Sequence, residues 1–370
     1  MCSRARAVRP ARAAGRPYQE LAAALRADIS GGRVAAGGYL PGERQLAEAH
    51  AVAPMTARRA LKKLEAEGLI AAEARRGWRV LARANDPDRG APIAYILSPH
   101  PGPQLWDDLH RTMVSSFQKA AAAFGWSLLA VGTDGRTPGE ILDQLRTARA
   151  CGAILDTLDR TLIEDARRAG LPALTVDDWR MDVEVDAVAQ DGFRGGILAA
   201  SWLAERGHRR IGWLGPVGIS RQGLERFGGA AAALAARGIE IPAGLRRTVD
   251  DPESPEGVKL ARELLSARNR PTAMLALWQG CTASLARAAA ELGLVPGRDF
   301  EMVGWSTEEG YATDFLPRFA GGPVPPAVVW SVAAMGLAAV DRLAERRAKP
   351  GMPSVVIKVP TRLKIAEEGK

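Results

Sequence analysis

Residues 40–70 read LPGERQLAEAHAVAPMTARRALKKLEAEGLI, and this stretch contains two helical patterns in close succession. One helix is predicted at about 43–50 and another at about 54–67, with Pro54 in the first turn of the latter, where proline is favoured. In the helix at 54–67, apolar residues recur at i, i+3, i+4 and i+7, the spacing of one buried helix face. That stripe consists of Ala57, Ala60, Leu61 and Leu64. The sequence therefore predicts two helices joined by a short turn at 51–53.

The flanking sequence adds a helix before this pair and a hairpin after it. Apolar residues at four-residue steps predict a first helix that ends at the glycines of 30–32. These residues are Leu21, Leu25 and Ile29. Downstream, 69–70 and 78–80 predict two short strands joined by the basic turn 74–77. Three helices followed by a hairpin make a winged helix-turn-helix, and we assign residues 17–82 to it.

The third helix turns a second face away from its buried stripe, and this face is rich in groups that bind DNA. Its members are Met55, Thr56, Arg58, Arg59 and Lys62. Arginine can pair with guanine edges in the major groove, and threonine can contact bases or phosphates. At the tip of the hairpin, Gly77 follows Arg76 and would let the backbone approach DNA closely.

The positive charge of the chain is concentrated in its first quarter. Residues 1–90 contain 17 Lys and Arg against 9 Asp and Glu, whereas residues 91–370 contain 33 of each class. This asymmetry suits a polyanion, such as the double-stranded DNA that the helix face predicts, as the partner of the small first domain only. The alternative is a solubility feature or a disordered basic tail. Residues 1–16 are arginine-rich and lack periodicity. They are expected to be a disordered basic arm, or to reflect a start codon placed too far upstream.

After a polar linker at 83–91, short apolar strands alternate with helices as far as residue 366. The predicted strands are 93–97, 128–131, 152–155, 173–176, 210–214, 273–277 and 301–304. Continuous apolar strands separated by helices are typical of a doubly wound α/β fold with parallel sheets. Because residues 92–366 are too many for one such sheet, we predict two lobes. Lobe 1 is placed at about 92–202 and 325–352, and lobe 2 at about 203–324 and 353–366.

Residues 40–47, 55–61 and 64–70 resemble the GntR family of bacterial regulators in their order and spacing. The resemblance implies that the third helix enters the major groove and that the wing adds contacts. The helix face and the resemblance together give the candidate DNA-binding residues Arg44, Met55, Thr56, Arg58, Arg59, Arg76 and Gly77. The chain departs from the family where 53–54 replaces a common Ser-Arg pair and where Ala51 replaces a turn glycine. These departures imply a different operator sequence with the same binding mode.

Residues 204–212 are similar to the Gly-His-Arg-Arg-Ile signature of LacI/GalR-type regulators. Further similar segments follow in the expected order at 225–229, 271–274, 291–294 and 302–305. The resemblance implies an effector domain like the periplasmic sugar-binding proteins, with two lobes joined by crossovers. The ligand would lie in the cleft at the carboxyl ends of the strands, where open α/β sheets bind ligands.

Position by position, the resemblance places one aspartate, Asp177, after a strand of lobe 1 and one arginine, Arg226, against the polar groups of the ligand. The full set of candidate ligand-binding residues is Ser98, Trp106, Asp177, Trp179, Arg226, Trp278, Ser306 and Trp330. Three of these depart from the family, since tryptophan or serine replaces a polar residue at Trp278, Ser306 and Trp330. Indole rings stack on sugar faces and nucleobases, so we expect a sugar or sugar derivative that is flatter and forms fewer hydrogen bonds than a free pentose or hexose. Alternatively, several of these tryptophans pack within or between the lobes.

The sequence lacks the common catalytic and metal-binding patterns. It contains no P-loop, no GxGxxG after a strand and no HExxH, and its three cysteines are far apart. No apolar run reaches the ~20 residues that span a bilayer, and no secretory signal precedes the first domain. We therefore expect a cytoplasmic protein that is not an enzyme and has neither cofactor nor metal.

The leading interpretation is a homodimeric repressor that a small effector releases from a near-palindromic operator. A second interpretation is a DNA-binding regulator whose C-terminal domain has lost its ligand and serves only for dimerisation. A third, a DNA-tethered enzyme, would need an acid–base cluster that the sequence does not show.

Overall fold

A computed structural model describes most of the chain as two compact units, one up to Arg89 and one that holds nearly all residues from Gly90 onwards. For Ser30 and residues 105–108 it describes the backbone alone. The described ranges are 17–30, 33–34, 37–67, 69–73, 76–81, 90–97, 105–156, 159–177, 183–217, 221–249 and 255–366.

The first unit contains three helices and a small antiparallel sheet, which confirms the predicted winged helix-turn-helix. Its elements are α1 (Pro17–Ser30), β1 (Tyr39–Leu40), α2 (Glu43–Ala49), α3 (Pro54–Ala66), β2 (Ile70–Glu73) and β3 (Gly77–Val80). The strand order is β1-β3-β2. Strand β1 was not predicted, because two residues are too few to show an alternating pattern.

The core of this unit lies between α3, α1 and the wing. The predicted stripe of α3 is fully buried, together with Leu21, Leu25 and Ile29 of α1. The turn before α3 places Ala51 at φ 51°, a left-handed conformation that costs an alanine about 1 kcal/mol. Packing of the helices therefore imposes this turn even though its glycine is missing.

The second unit is a doubly wound α/β structure with two parallel sheets, as predicted. Its first half contains β4 (Pro92–Leu97), α4 (Leu105–Ala122), β5 (Ser127–Gly132), α5 (Pro138–Thr147), β6 (Gly152–Asp156), α6 (Arg160–Arg168), β7 (Ala173–Val176) and β8 (Asp186–Gln190). Helix α5 begins with the capping box that its sequence predicts, since the Thr137 hydroxyl accepts a hydrogen bond from the Glu140 N–H and the Glu140 carboxylate accepts one from the Thr137 N–H.

The second half of this unit builds another sheet and then returns to the first. Its elements are α7 (Gly192–Glu205), β9 (Ile211–Leu214), α8 (Arg221–Ala235), β10 (Arg246–Arg247), α9 (Pro255–Ser266), β11 (Ala273–Leu275), α10 (Gln279–Glu291), β12 (Glu301–Thr307), β13 (Ala327–Trp330), α11 (Val332–Ala348), β14 (Val356–Val359) and β15 (Arg362–Lys364). The sheet orders are β14-β8-β7-β6-β4-β5 in lobe 1 and β10-β9-β11-β12-β13-β15 in lobe 2. All pairings are parallel except β13 with β15.

The lobe boundaries differ from the expected ones in three segments. Residues 192–202 belong to lobe 2, because α7 packs on α8 and on the second sheet. Strand β13 pairs with β12 and so also lies in lobe 2, whereas β14 pairs with β8 in lobe 1. The crossovers therefore fall after β8, β13 and β14. Which sheet such a strand joins depends on distant pairing partners, so its own sequence does not show it.

Close contact between α7 and α8 requires glycine in both helices. A Cβ atom on Gly196 would lie 2.1 Å from the carbonyl oxygen of Arg226 in α8. A Cβ atom on Gly229 would lie 2.0 Å from the carbonyl oxygen of Phe193 in α7. These helices pack backbone to backbone, which brings α8 up to the first residues after β8.

A buried ion pair fixes the return of the chain to lobe 1. Asp186 of β8 is 1% exposed and accepts hydrogen bonds from Arg342 (2.9 Å) and Arg346 (2.8 Å) of α11 and from the Val355 N–H (3.0 Å). Burial alone would raise the pKa of Asp186, but these donors hold it below its usual range. The carboxylate therefore joins α11 and the segment before β14 to the first sheet.

We expect Asp186→Asn to destabilise the second unit by about 3 kcal/mol at pH 7, because it leaves two arginines without their buried counter-charge. The depressed pKa means that this contribution is present above about pH 4 and is lost as the pH falls through the folded-state pKa. Urea denaturation from pH 3 to pH 8 would measure it.

Asp143→Asn is the matched control, since the Asp143 side chain is 70% exposed and its pair with Arg146 lies in solvent. A difference in the free energy of unfolding between wild type and Asp186→Asn that stays constant down to pH 3 would contradict the role given to the carboxylate.

Candidate DNA-binding face and ligand cleft

Helix α3 exposes the predicted face. Met55 is 61% exposed, the side chain of Arg58 is 59% exposed, and Arg59 is also exposed. Thr56 is half-buried in the first turn. The residue before the helix, Ala53, offers no side-chain cap, and the first helical residue, Pro54, has no N–H group. The leading end of α3 therefore presents mainly Met55 and the two arginines to solvent.

Most basic side chains of the first unit are paired with carboxylates. The pairs are Arg26 and Lys63 with Glu67, Arg33 with Asp28, Arg58 with Glu43, Lys62 with Glu65, and Arg79 with Glu73. Within the described part of residues 17–81, the cations without a carboxylate partner are Arg44, Arg59 and Arg76. All three are candidate DNA-binding residues, and all three are exposed. Their charge is available to an external anion.

The wing combines one basic residue with a small polar cluster. Arg76 lies 3.5 Å from the hydroxyl of Tyr39, which donates to Glu73 over 2.5 Å. Burial and the neighbouring carboxylate of Glu73 raise the pKa of Tyr39, so the hydroxyl stays protonated. Gly77 has φ 102° and no atom within 4 Å of the position a Cβ would take. Its conformation as well as its small size therefore favours glycine at the tip.

In the second unit, side chains from both lobes meet at the carboxyl ends of the strands. Asp177 follows β7, and Gln190 ends β8 in lobe 1. Arg226 comes from α8, Trp305 from β12 and Trp278 from the end of the segment after β11, all in lobe 2. Gln190 links the two groups, since its amide nitrogen donates to Asp177 (2.6 Å) and its amide oxygen accepts from Arg226 (3.0 Å) and Trp305 (3.1 Å).

Arg226 is the centre of this arrangement and is 2% exposed. Its guanidinium carbon lies 4.1 Å from the ring centroid of Trp278 and 4.0 Å from that of Trp305. Its Nη1 donates to the carbonyl oxygen of Leu277 (2.8 Å) and its Nη2 to Gln190, whereas Nε is buried without an acceptor. Burial lowers the pKa of Arg226 to about 10, which leaves it charged at neutral pH. Both terminal nitrogens therefore already donate to the protein.

Asp177 is the second charged group of the cleft. Its backbone has φ 59°, a left-handed conformation that aspartate tolerates better than most residues. Burial raises the pKa of Asp177 to about 7; Arg226 opposes the shift and Asp156 adds to it. Near neutral pH the carboxyl group is thus close to half-protonated.

Sequence reasoning missed a polar cluster next to Asp177. The hydroxyl of Tyr95 donates to Asp156 Oδ2 (2.7 Å), and Nε2 of His110 lies 3.6 Å from the same oxygen. Asp156 is the last residue of β6, so its position at the strand end was a usable signal. Gln190 ends β8 in the same way. Burial and the Asp156 carboxylate raise the pKa of Tyr95, which keeps its hydroxyl a donor.

The remaining candidate ligand-binding residues divide into two sets. Ser98 and Trp179 lie outside the described residues, and Trp106 lies in α4 with its side chain outside them. Ser306 is fully buried and Trp330 is 1% exposed. Arg226 of the same cleft is buried to a similar degree, so the ligand contacts expected of Ser306 and Trp330 stay predictions. Among the predicted residues, the structure brings Asp177, Arg226 and Trp278 together.

The described residues lack two kinds of feature. No helix there is long and apolar enough to cross a membrane. No group of three or more metal-ligating side chains occurs in the same ranges.

Comparison with known proteins divides the chain in the same way. Residues 17–80 match the family model of bacterial regulatory proteins of the gntR family. Residues 200–366 match the model of the periplasmic binding protein-like domain. The two resemblances seen in the sequence thus have independent support at the level of these two domain types.

Curated relatives match part of the chain. The HTH-type transcriptional repressor PurR of Klebsiella pneumoniae (strain 342) is 30% identical over 147 residues, which is 39% of this chain and 42% of the repressor. The chain spans about half the length of the curated relatives it matches.

Two solved structures show the same fold. The transcriptional regulator CelR in its cellobiose complex is 23% identical with a TM-score of 0.64, over 86% of this chain and 92% of that one. A regulatory protein of the LacI family from Chloroflexus aggregans is 22% identical with a TM-score of 0.64, over 75% and 98%. The chain therefore joins a winged helix-turn-helix similar to the gntR regulators to a two-lobed domain similar to periplasmic binding proteins.

Proposed function

We propose that this protein is a transcription repressor that binds operator DNA as a homodimer and is released by a small sugar-like effector. The observation that carries the DNA-binding part is the position of the unpaired cations. Arg44, Arg59 and Arg76 lie on α2, α3 and the wing, and the basic excess of the chain lies in the same unit. Phosphate contacts supply most of the affinity of such domains, and a helix in the major groove supplies specificity.

We expect Arg44→Ala and Arg59→Ala each to weaken binding about tenfold and to lower the salt slope of the binding constant by about one, as loss of one phosphate contact does. Binding would be measured by fluorescence anisotropy at several salt concentrations, with a duplex selected from a random library by the full chain.

Arg33→Ala is the control, because it removes the same charge from the same unit but Arg33 is already paired with Asp28. If the two test variants match this control, α2 and α3 do not form the DNA-binding surface.

The effector site in this proposal is the cleft of the second unit, as in LacI/GalR-type regulators. The cellobiose bound to the structurally similar CelR supports a carbohydrate class of ligand. In this chain we assign ligand binding to Asp177, Asp156 and the partly exposed Trp278. Arg226 also positions these groups, since two of its five N–H donors serve Gln190 and the Leu277 carbonyl.

One observation favours a second candidate function, a C-terminal domain that only dimerises. Arg226, Ser306 and Trp330 are all buried, so three expected ligand contacts are not exposed. The two functions differ in whether any small molecule stabilises the protein.

A thermal-shift screen against sugars, sugar acids, glycosides and nucleosides separates them. An effector at about 100 times its Kd adds roughly 2.7 kcal/mol to the stability, or several degrees. We expect a hit whose shift is lost in Trp278→Ala but kept in the control Trp202→Ala, which lies on α7 beside Arg206. No hit at millimolar concentration would favour the dimerisation module.

The raised pKa of Asp177 gives a prediction that needs no ligand. Because the folded state holds this proton more tightly than the unfolded state, whose pKa is about 3.9, stability falls as the pH rises from about 4 to about 7 and then levels off. Asparagine reproduces the neutral form and tolerates the same backbone conformation. We expect Asp177→Asn to stabilise the protein at pH 8 by about 1–2 kcal/mol after solvent screening, and to have little effect at pH 4.5.

Urea denaturation at both pH values would measure this, with the exposed Asp134→Asn as control. An equal effect of Asp177→Asn at pH 4.5 and pH 8 would show that the carboxyl group does not titrate in this window.

A further inference from the structure

The DNA-binding unit leaves one large apolar side chain in solvent. Met55 is the only large hydrophobic residue that is exposed within the described part of residues 17–81. Its 61% exposure also exceeds that of the other exposed large hydrophobic residues described, which are Phe193, Leu224, Val355, Val356 and Ile365. The core of the unit is complete without it.

The position of Met55 in α3 places it on the helix face that would contact DNA. It is the second residue of α3, one turn before Arg58 and Arg59, at spacings of three and four that place it on their side of the helix. The buried stripe begins at Ala57 and faces away from this side. In helix-turn-helix proteins, the N-terminal residues of the recognition helix contact the base edges.

The chemistry of the side chain limits what it can recognise. A thioether donates no hydrogen bond and accepts only weakly, so Met55 can bind neither a phosphate nor a guanine edge as its arginine neighbours can. The apolar group that the major groove of DNA offers is the C5-methyl group of thymine. The unbranched methionine chain adapts readily to such a group. Ala53 and Pro54 add no polar side chain at this end of the helix.

We propose that Met55 reads a thymine methyl group in each operator half-site. The inference rests on the proposed DNA-binding function and adds the base that one residue specifies. Arg58, held by Glu43 at 3.2 Å, and Arg59 would contact neighbouring positions. The operator would then contain a thymine whose methyl group contributes to affinity apart from any hydrogen bond.

Replacement of thymine by deoxyuridine tests this directly, because it removes the methyl group and keeps every hydrogen-bonding atom. The full chain is first used to select duplexes from a random library. Each thymine of the selected duplex is then replaced singly, and Kd is measured for wild type, Met55→Ala and Met55→Leu. The exposed position of Met55 means that these variants should keep the stability of wild type, which thermal unfolding would verify.

We expect that, in each half-site, one of these single replacements weakens wild-type binding about fourfold, as loss of one buried methyl group does. Met55→Ala should bind the thymine duplex less tightly and show no further loss at that position, whereas Met55→Leu should keep the discrimination. If every replacement affects wild type and Met55→Ala equally, Met55 does not read a methyl group. If the library yields no enriched duplex, the proposed DNA-binding function itself fails.

Discussion

A buried guanidinium cannot remain charged unless the protein replaces the water it loses, and Arg226 imposes this requirement on the cleft. Removing such an ion from water costs several kcal/mol. Here two hydrogen bonds to the protein and two indole rings stand in for the solvent, each worth about 2 kcal/mol in a desolvated setting. Because Gln190 belongs to lobe 1 and the rings to lobe 2, the two sheets must meet at this edge for the charge to be tolerated. The arginine thus sets how the strand ends face each other.

This use of Arg226 changes which groups remain for a ligand. Of the five N–H donors of the Arg226 guanidinium, two serve the Leu277 carbonyl and Gln190, and the buried Nε has no acceptor. Two carboxylates also keep free capacity: Asp177, whose pKa lies near 7, and Asp156, which accepts from Tyr95. Carboxylates accept hydrogen bonds and repel anions. The cleft thus combines these acceptors with the remaining donors of Arg226.

Local patterns predicted the winged helix-turn-helix well and the cleft only in part. The stripe of α3 and the first helix follow from residues that are neighbours in sequence, so periodicity alone identified them. Asp156 and Gln190 were missed, because their meeting with residues of lobe 2 depends on which strands lie side by side. The burial of Ser306 and Trp330 has the same origin, since β13 joins the second sheet through its pairing with β12. The resemblance gave Arg226 its place, whereas its contacts with Gln190, Trp278 and Trp305 are seen only in the folded structure.

Polar contacts lie at each of the three crossovers between the lobes. Gln190 stands just before the first crossover. At the second, Glu309 of lobe 2 accepts hydrogen bonds from Ser331 and from the first N–H groups of α11 in lobe 1. At the third, the Thr361 hydroxyl donates to the carbonyl of Asp191 (3.0 Å). A ligand shifts the balance between lobe arrangements only by binding one of them more tightly. Of the residues named at the crossovers, Gln190 alone is hydrogen-bonded to Asp177. A ligand that neutralises or displaces the Asp177 carboxyl group would therefore act on Gln190, whose amide oxygen accepts a hydrogen bond from Arg226.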